Sequence, residues 1–445
     1  MLKTIIVLPD GTEISSGNDN VNAVQSAMVT ESVNNSKELT LGSSVACKLN
    51  VNFISPEGNL QINAGDEVTV YKADDEGNRY LVGMFTLEKP TRPSANRTTV
   101  TAYDRITWLD KDLTDWMAGL TGWPYSLLTF ADMVCQACGL TLVNDSIPND
   151  DYMVHRFAAR GVTGRKLMQW VGEIAGRFCR ATPEGEIEFA WYEPSGVSIT
   201  PDGDRFYYQN GLTYEDYQVA KIEKVQLRLT ENDVGVVWPD EVGDKNTYII
   251  SGNYLLTASG SSALLPLAQT LYEQLKDITY TPCKVTLPAS LDIHAGHTVQ
   301  ITDRNGRTFT SYVMTKTQTG QRDTLECTGS RRRDSTSVVN NESYRALAGQ
   351  ILEVKKEMEG LEIKASKLEN LKIGTRNLIR NSRNLIFEDY FFAVLEILVT
   401  HDGNGNVTWL NPILDILDDG AGNVVVTNAP FTVDTDGLGN VVVIS

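Results

Sequence analysis

The chain has 445 residues, 41% of them hydrophobic, and a formal charge of −18, the makeup of a globular protein too long for one core. Such an acidic surface repels polyanions, which excludes a general nucleic-acid or anionic-membrane binder and leaves protein partners or neutral ligands. The apolar run from Leu2 to Leu8 is too short for a signal core, and no stretch approaches the roughly 20 apolar residues of a membrane span, so synthesis and folding in a cytoplasm are expected.

Residues 1–107 read as a small β-barrel. The stretch INAGDEVTV at 62–70 is followed by the polar turn 75–79, a strand at 80–87, a polar turn at 92–97 and a strand at 98–103. This is a meander of alternating strands bounded by Gly, Asn and Asp turns, and closing such a sheet removes its edges.

Residues 108–210 change pattern to α+β. Leu127, Phe130, Ala131, Val134 and Ala137 recur at helical spacing over 126–140. Cys135 and Cys138 on that helix have a metal-like spacing, but a zinc site wants a second pair, so packed thiols are the expectation. A second helix opens at Thr163 with Leu167, Trp170, Val171, Ile174 and Phe178 on one face. A hairpin over 179–191 follows, turning at Pro183-Glu184-Gly185. Its Glu186 and Glu188 alternate with Ile187, Phe189 and Trp191, which reads as the solvated face of a strand rather than an acid and base pair.

Residues 211–335 read as a second barrel with a helical insertion at about 240–280. The helix at 262–278 has Pro266 in its first turn and Leu264, Ala268, Leu271, Tyr272 and Leu275 on one face. Then comes IHAGHTVQI at 293–301, which holds two of the four histidines in the chain. It matches 62–70 at Ile, Ala-Gly and Val, with Val70 answered by Ile301. Ala64, Gly65 and Asp66 thus correspond to Ala295, Gly296 and His297. His294 and His297 stand where the first copy has Asn63 and Asp66, so they are expected in a turn that tolerates Asn and Asp, not in a metal site. Downstream, the turn 75–79 aligns with 303–307, and strand, turn and strand follow in both copies.

After a polar linker, residues 336–373 carry a coiled-coil seam: Tyr344, Leu347, Ile351, Val354, Met358, Leu361, Ala365 and Leu368 recur at three- and four-residue steps beside charged flanks. At 1.5 Å per residue the seam is roughly 37 Å long, enough for an oligomer stalk. Residues 374–445 are expected to be β-rich. From Asn384 onward there is no Lys or Arg, and Asp-Gly-x-Gly-Asn-Val occurs at 402–407, 419–424 and 436–441. The acid that completes an EF-hand is missing from each copy, so hairpin turns between short strands are favoured over calcium loops.

Two segments carry a family resemblance. ANRTTVTAYDRITWLD at 95–110 resembles the end of the first barrel in phage tail hub proteins, also called baseplate hub or tail-associated lysin proteins. GTRNLIRNSRNL at 374–385 resembles the segment that introduces fibre-like or receptor-proximal domains in tail proteins. In order of parts the resemblance spans roughly residues 1–385. It implies a virion protein of the tail tip, a homotrimer whose two barrels per subunit form a ring of six similar units. The partners it implies are the distal tail ring or tail tube protein, the tape measure C-terminus, and a receptor-binding or fibre protein. It also implies assembly in the host cytoplasm. The lysin domain of many hubs has no counterpart: the sequence offers no catalytic, cofactor or metal-ligating set, and His155 and His401 are isolated. Two other classes remain open to this sequence. One is a glycan-binding adhesin using Trp409 or Tyr390-Phe391-Phe392; the other is a cell-wall hydrolase.

Overall fold

The computed structural model describes residues 2–17, 21–157, 161–228, 235–239, 246–256 and 261–331, together with six short strands between 398 and 444. The fold is a multidomain, β-rich one with few helices.

The N-terminal part is built from β1 (Lys3–Val7), β2 (Glu13–Ser15), β3 (Ala23–Ser32), β4 (Lys48–Ile54), β5 (Glu67–Ala73), β6 (Arg79–Leu87), β7 (Thr91–Ser94) and β8 (Arg97–Asp104). They pair in the order β3-β4-β8-β6-β5-β1-β2, with β7 beside β8. Ser16, just beyond β2, bridges Val24 of β3, so the run of strands returns to where it began. Strict alternation makes this possible. In β4, Leu49, Val51 and Phe53 are buried while Lys48, Asn50, Asn52 and Ile54 are partly exposed, so one face of the strand enters the apolar core. Ile6, Val29, Val70, Phe85 and Val100 join them there from neighbouring strands.

Asp104 ends β8 and accepts the Ile106 N–H, capping a short 3-10 helix at Arg105–Asp110. The helical layer follows: α1 (Thr114–Gly119), β9 (Tyr125–Ser126), α2 (Leu127–Ala137), β10 (Met153–Val154) and α3 (Gly164–Ala175). Ser126 caps α2 through the Thr129 N–H, and Thr163 caps α3 through the Lys166 N–H. The helix expected to reach 140 stops at Ala137, because Gly139 takes a φ of +77°. Phe178 is not on the face of α3, as its spacing suggested. Gly176, at φ +65°, ends that helix and Phe178 opens β11 (Phe178–Ala181), which pairs with β12 (Ile187–Ala190). Cys135 and Cys138 pack among Leu127, Phe130 and Val134 as free thiols. Burial drives both thiols up in pKa, which keeps them protonated.

The second half contains β13 (Glu193–Ile199), β14 (Leu212–Tyr214), β15 (Lys224–Leu227), β16 (Val236–Trp238), β17 (Thr247–Ile250), α4 (Ser261–Leu275), β18 (Cys283–Pro288), β19 (His297–Thr302), β20 (Thr308–Tyr312), β21 (Thr315–Thr319) and β22 (Arg322–Cys327). Strands β14, β18, β22 and β21 continue the first sheet rather than standing apart from it. The join is β3, whose ten residues serve both sides: Ala23 to Thr30 pair with β4, and Met28 to Ser32 pair with β21. The result is one sheet of twelve strands. Strands β19 and β20 form a separate three-stranded sheet with β13, which runs parallel to β19.

In the C-terminal unit the described residues form three antiparallel strand pairs: Leu398–His401 with Val407–Leu410, Asp415–Asp418 with Val424–Thr427, and Thr432–Thr435 with Val441–Ile444. Each pair of strands flanks one Asp-Gly-x-Gly-Asn-Val segment. The stalk positions Leu347, Ile351, Val354, Met358, Leu361 and Leu368 lie outside the described residues, as do Tyr390, Phe391 and Phe392.

Candidate functional site

The two copies of the Ile-x-Ala-Gly motif close the same turn with the same bonds. In the first, the Asp66 N–H reaches the Asn63 carbonyl at 3.5 Å, and the Gly65 N–H donates to the Leu87 carbonyl at 2.8 Å. The Leu87 N–H answers to the Asp66 carbonyl at 2.8 Å. In the second, the His297 N–H donates to the His294 carbonyl at 3.1 Å, the Gly296 N–H to Val313 at 2.8 Å, and the Val313 N–H to His297 at 2.8 Å. Gly65 and Gly296 take φ of +87° and +95°, a left-handed conformation that other residues adopt only at a cost. Even the side chains take corresponding roles. The Asp66 carboxylate accepts the Asn63 N–H at 3.1 Å, and His297 Nδ1 accepts the His294 N–H at 3.2 Å. His297 must therefore be neutral at Nδ1 for its turn to close. Its pKa is lowered by burial and by the neighbouring His294 and Arg180, which keeps that lone pair available.

The agreement extends to the next turn, with a shift in alignment. Asp74 Oδ1 accepts the N–H groups of Glu76 and Asn78, and Gly77 closes on the Asp74 carbonyl. Asp303 Oδ1 accepts those of Asn305 and Arg307, and Gly306 closes on the Asp303 carbonyl. The counterpart of Asp303 is thus Asp74, not Asp75. The first copy has two more residues between Val70 and its turn, and the bulge in its hairpin falls on the other strand, where Val82 stands unpaired between the partners of Tyr71 and Val70. An insertion of two keeps the side-chain alternation, so the repeat survives it.

The surroundings of the two turns differ. Ala64 and Gly65 are exposed, and a Cβ built on Gly65 meets nothing within 4 Å. Ala295 and Gly296 are buried under β11 and the start of β13. The Ala295 carbonyl accepts Arg180 Nη1 at 3.2 Å, the Gly296 carbonyl accepts the Glu193 N–H at 3.0 Å, and a Cβ on Gly296 would stand 2.9 Å from the Phe178 ring.

Between the copies lies a cavity of about 600 Å³, lined by Glu31, Lys72, Asp104, Arg180, His294 and Lys316 among others. Glu31 Oε2 takes the Ala295 N–H at 3.2 Å and faces His294 Nδ1 at 3.4 Å. Burial raises the Glu31 pKa, but the His294 hydrogen bond, the Lys316 charge and the Ala295 N–H outweigh it and hold the carboxyl down to about 2. Lys316 donates to the carbonyls of Ser290 and Ile293 at 2.9 and 2.6 Å and pairs with Asp323 at 3.5 Å, while Asp323 Oδ2 accepts the Ser290 N–H at 2.9 Å. This buried pair therefore fixes the approach to the second turn from both sides of the Ser290 peptide. In the first copy Lys72 is also buried, but its ammonium donates to a neutral Thr4 hydroxyl at 2.9 Å, and burial brings its pKa down to about 8. Asp104 is raised to about 7 by burial, against the N–H groups of Cys47 and Ile106 that favour its charged form.

No family model matches the sequence, and no curated protein does. Solved structures it resembles include two prophage tail proteins and a component of a secretion system. A 43 kDa tail protein of a Shewanella oneidensis prophage aligns over 73% of this chain and 96% of its own, at 13% identity and a TM-score of 0.47. A prophage tail protein from Listeria monocytogenes aligns over 79% of this chain and 99% of its own, at 11% identity and 0.42. An Escherichia coli component of the type VI secretion system, itself described as similar to two phage T4 tail proteins, aligns over 76% and 80%, at 10% identity and 0.39.

The six turn residues singled out from sequence, Ala64, Gly65, Asp66, Ala295, Gly296 and His297, sit in these two matching turns. Glu31, Lys72, Lys316 and Asp323 escaped sequence reasoning. The strand holding Lys316 is Thr-Lys-Thr-Gln-Thr, which reads as a polar edge although it lies between β3 and β22. Among the described residues no group of three or more His, Cys, Asp or Glu is placed to hold a metal ion, and no helix is long and apolar enough to cross a membrane.

Proposed function

We propose that the chain is a structural protein of a phage-type tail, a homotrimeric hub at the tail tip or baseplate that adapts a six-fold tube or distal ring to a three-fold tip. The observation that carries this reading is the duplicated unit: two turns with the same hydrogen bonds, each followed by the same Asp turn, in one chain. Three chains with two such units each offer six similar faces around a three-fold axis, which a six-fold partner can meet without six identical subunits. In this reading each unit is one barrel of the ring, covering about 1–107 and 211–335 with the α+β region 108–210 between them. The seam at 336–373 continues the three-fold axis as a coiled coil, and 374–445 forms the tip or the connection to a fibre. The tape measure C-terminus would meet the inner face of the ring. Host attachment and genome delivery are then consequences of position, with no bond made or broken by the hub.

The test is stoichiometry. Native mass spectrometry of the full chain mixed with the six-subunit distal tail ring of the same tail should give three chains per ring. Six chains per ring, or no complex, would remove the symmetry-adapting role.

A further inference from the structure

Two thiols lie across from each other at the end of the second unit. Cys283 begins β18, Cys327 ends β22, and the two are direct partners in the antiparallel register. Opposed residues in such a ladder have Cα atoms about 4.5–5.5 Å apart, inside the roughly 4.4–6.8 Å that a disulfide bridges. Both side chains turn to the same neighbour. Cys283 Sγ–H donates to Ser311 Oγ at 3.2 Å, and Cys327 Sγ lies 3.0 Å from that oxygen. Both are free thiols, nearly buried, yet both line a groove of about 390 Å³ with Tyr214, Lys284 and Glu326, which gives a small oxidant a way in.

We infer that Cys283 and Cys327 form a cross-strand disulfide when the protein meets hydrogen peroxide, locking β18 to β22. In the first step the Cys327 thiolate attacks one peroxide oxygen; the O–O bond breaks, an S–O bond forms, and the other oxygen leaves as water after taking up a proton. Cys283, deprotonated as it attacks, then forms the S–S bond at Cys327 and expels the sulfenic oxygen as a second water. Two electrons pass from the thiols to one peroxide. Cys327 is the residue that starts, because its pairing with Cys283 and the Ser311 hydroxyl beside it lower its pKa while the same pairing raises that of Cys283. The bond would close a loop containing β19, β20 and β21, so the second unit alone gains a covalent tie just before the chain enters 332 onward.

The experiment treats the reduced full chain with hydrogen peroxide, blocks remaining thiols with N-ethylmaleimide after unfolding, and maps the peptides by mass spectrometry without reduction. The expected result is one linked peptide pair, Cys283 with Cys327, lighter by two hydrogens, with Cys47, Cys135, Cys138 and Cys179 alkylated. The thermal midpoint should rise on oxidation and return on adding dithiothreitol. Cys283→Ser should instead leave a sulfenic acid at Cys327, trapped by dimedone. Full alkylation of Cys283 and Cys327 after peroxide, or a link between Cys135 and Cys138 in their place, would overturn the inference on the wild-type chain alone, whether or not the variant folds.

Discussion

The two turns share a backbone and differ in what covers them. The first stands in solvent and closes with a carboxylate; the second is packed under Phe178 and Arg180 and closes with a neutral imidazole. The comparison separates what the local motif requires from what its neighbours impose. The glycine and the carbonyl acceptor at the first position are needed in both copies. The acceptor side chain at the fourth position can be either residue type, since all it must supply is one lone pair to an N–H.

The largest contrast is expected between the two buried lysines. Lys316→Met should cost about 3–5 kcal/mol, because it strands the buried Asp323 without its cation. Lys72→Met should change stability by less than about 1 kcal/mol or raise it, because it removes a buried ammonium whose hydrogen-bond partner is a hydroxyl. The folded pKa of Lys72 lies below its ordinary value, so its charge opposes folding at pH 7, and that penalty fades as pH rises through about 8. Thermal midpoints at pH 7 and pH 10 check both: a loss of stability in Lys72→Met at pH 7 would contradict this account.

The glycines come next. Gly65→Ala carries only the left-handed strain, about 1–2 kcal/mol. Gly296→Ala adds the clash with Phe178, for a total of about 2–4 kcal/mol. Equal shifts in urea midpoint would mean that the Phe178 ring yields freely and that the packing difference between the turns is small.

The smallest effect concerns the histidine. Because the His297 pKa is lowered from its ordinary value near 6.5, its neutral form stabilises the folded chain above about that pH, and the contribution is lost as pH falls through the folded value below it. The lost turn bond is worth about 0.5–1.5 kcal/mol. His297→Asp installs the residue of the first copy and should flatten that part of the stability profile between pH 7 and pH 5. Glu31, held down to about 2, stays charged across this window and does not confuse the reading.

Much of this was legible in the sequence where the physics is local. The strand alternation, the caps Ser126 and Thr163, and the Ala-Gly turns each depend on residues within a few positions, and so does the placing of Asp-Gly-x-Gly-Asn-Val between paired strands. What depends on distant chain was not. The joining of the sheets through β3 rests on pairing between Thr30 and Thr317, far apart in sequence, and both strands there are rich in polar residues. The Cys283 and Cys327 pairing was hidden in the same way, since each thiol sits singly in an ordinary strand. The slip between Asp74 and Asp75 came from the two extra residues that separate Val70 from its turn, a length difference that pattern matching at fixed spacing does not see.

The central claim is that two like units per chain are read out three times. Light scattering of the full chain in solution tests it most directly. A mass three times that of the chain is the result this account predicts, with the trimer lost in a version ending before Tyr344 if the seam holds it together. A stable dimer would contradict it, since two chains present four units and cannot match a six-fold ring.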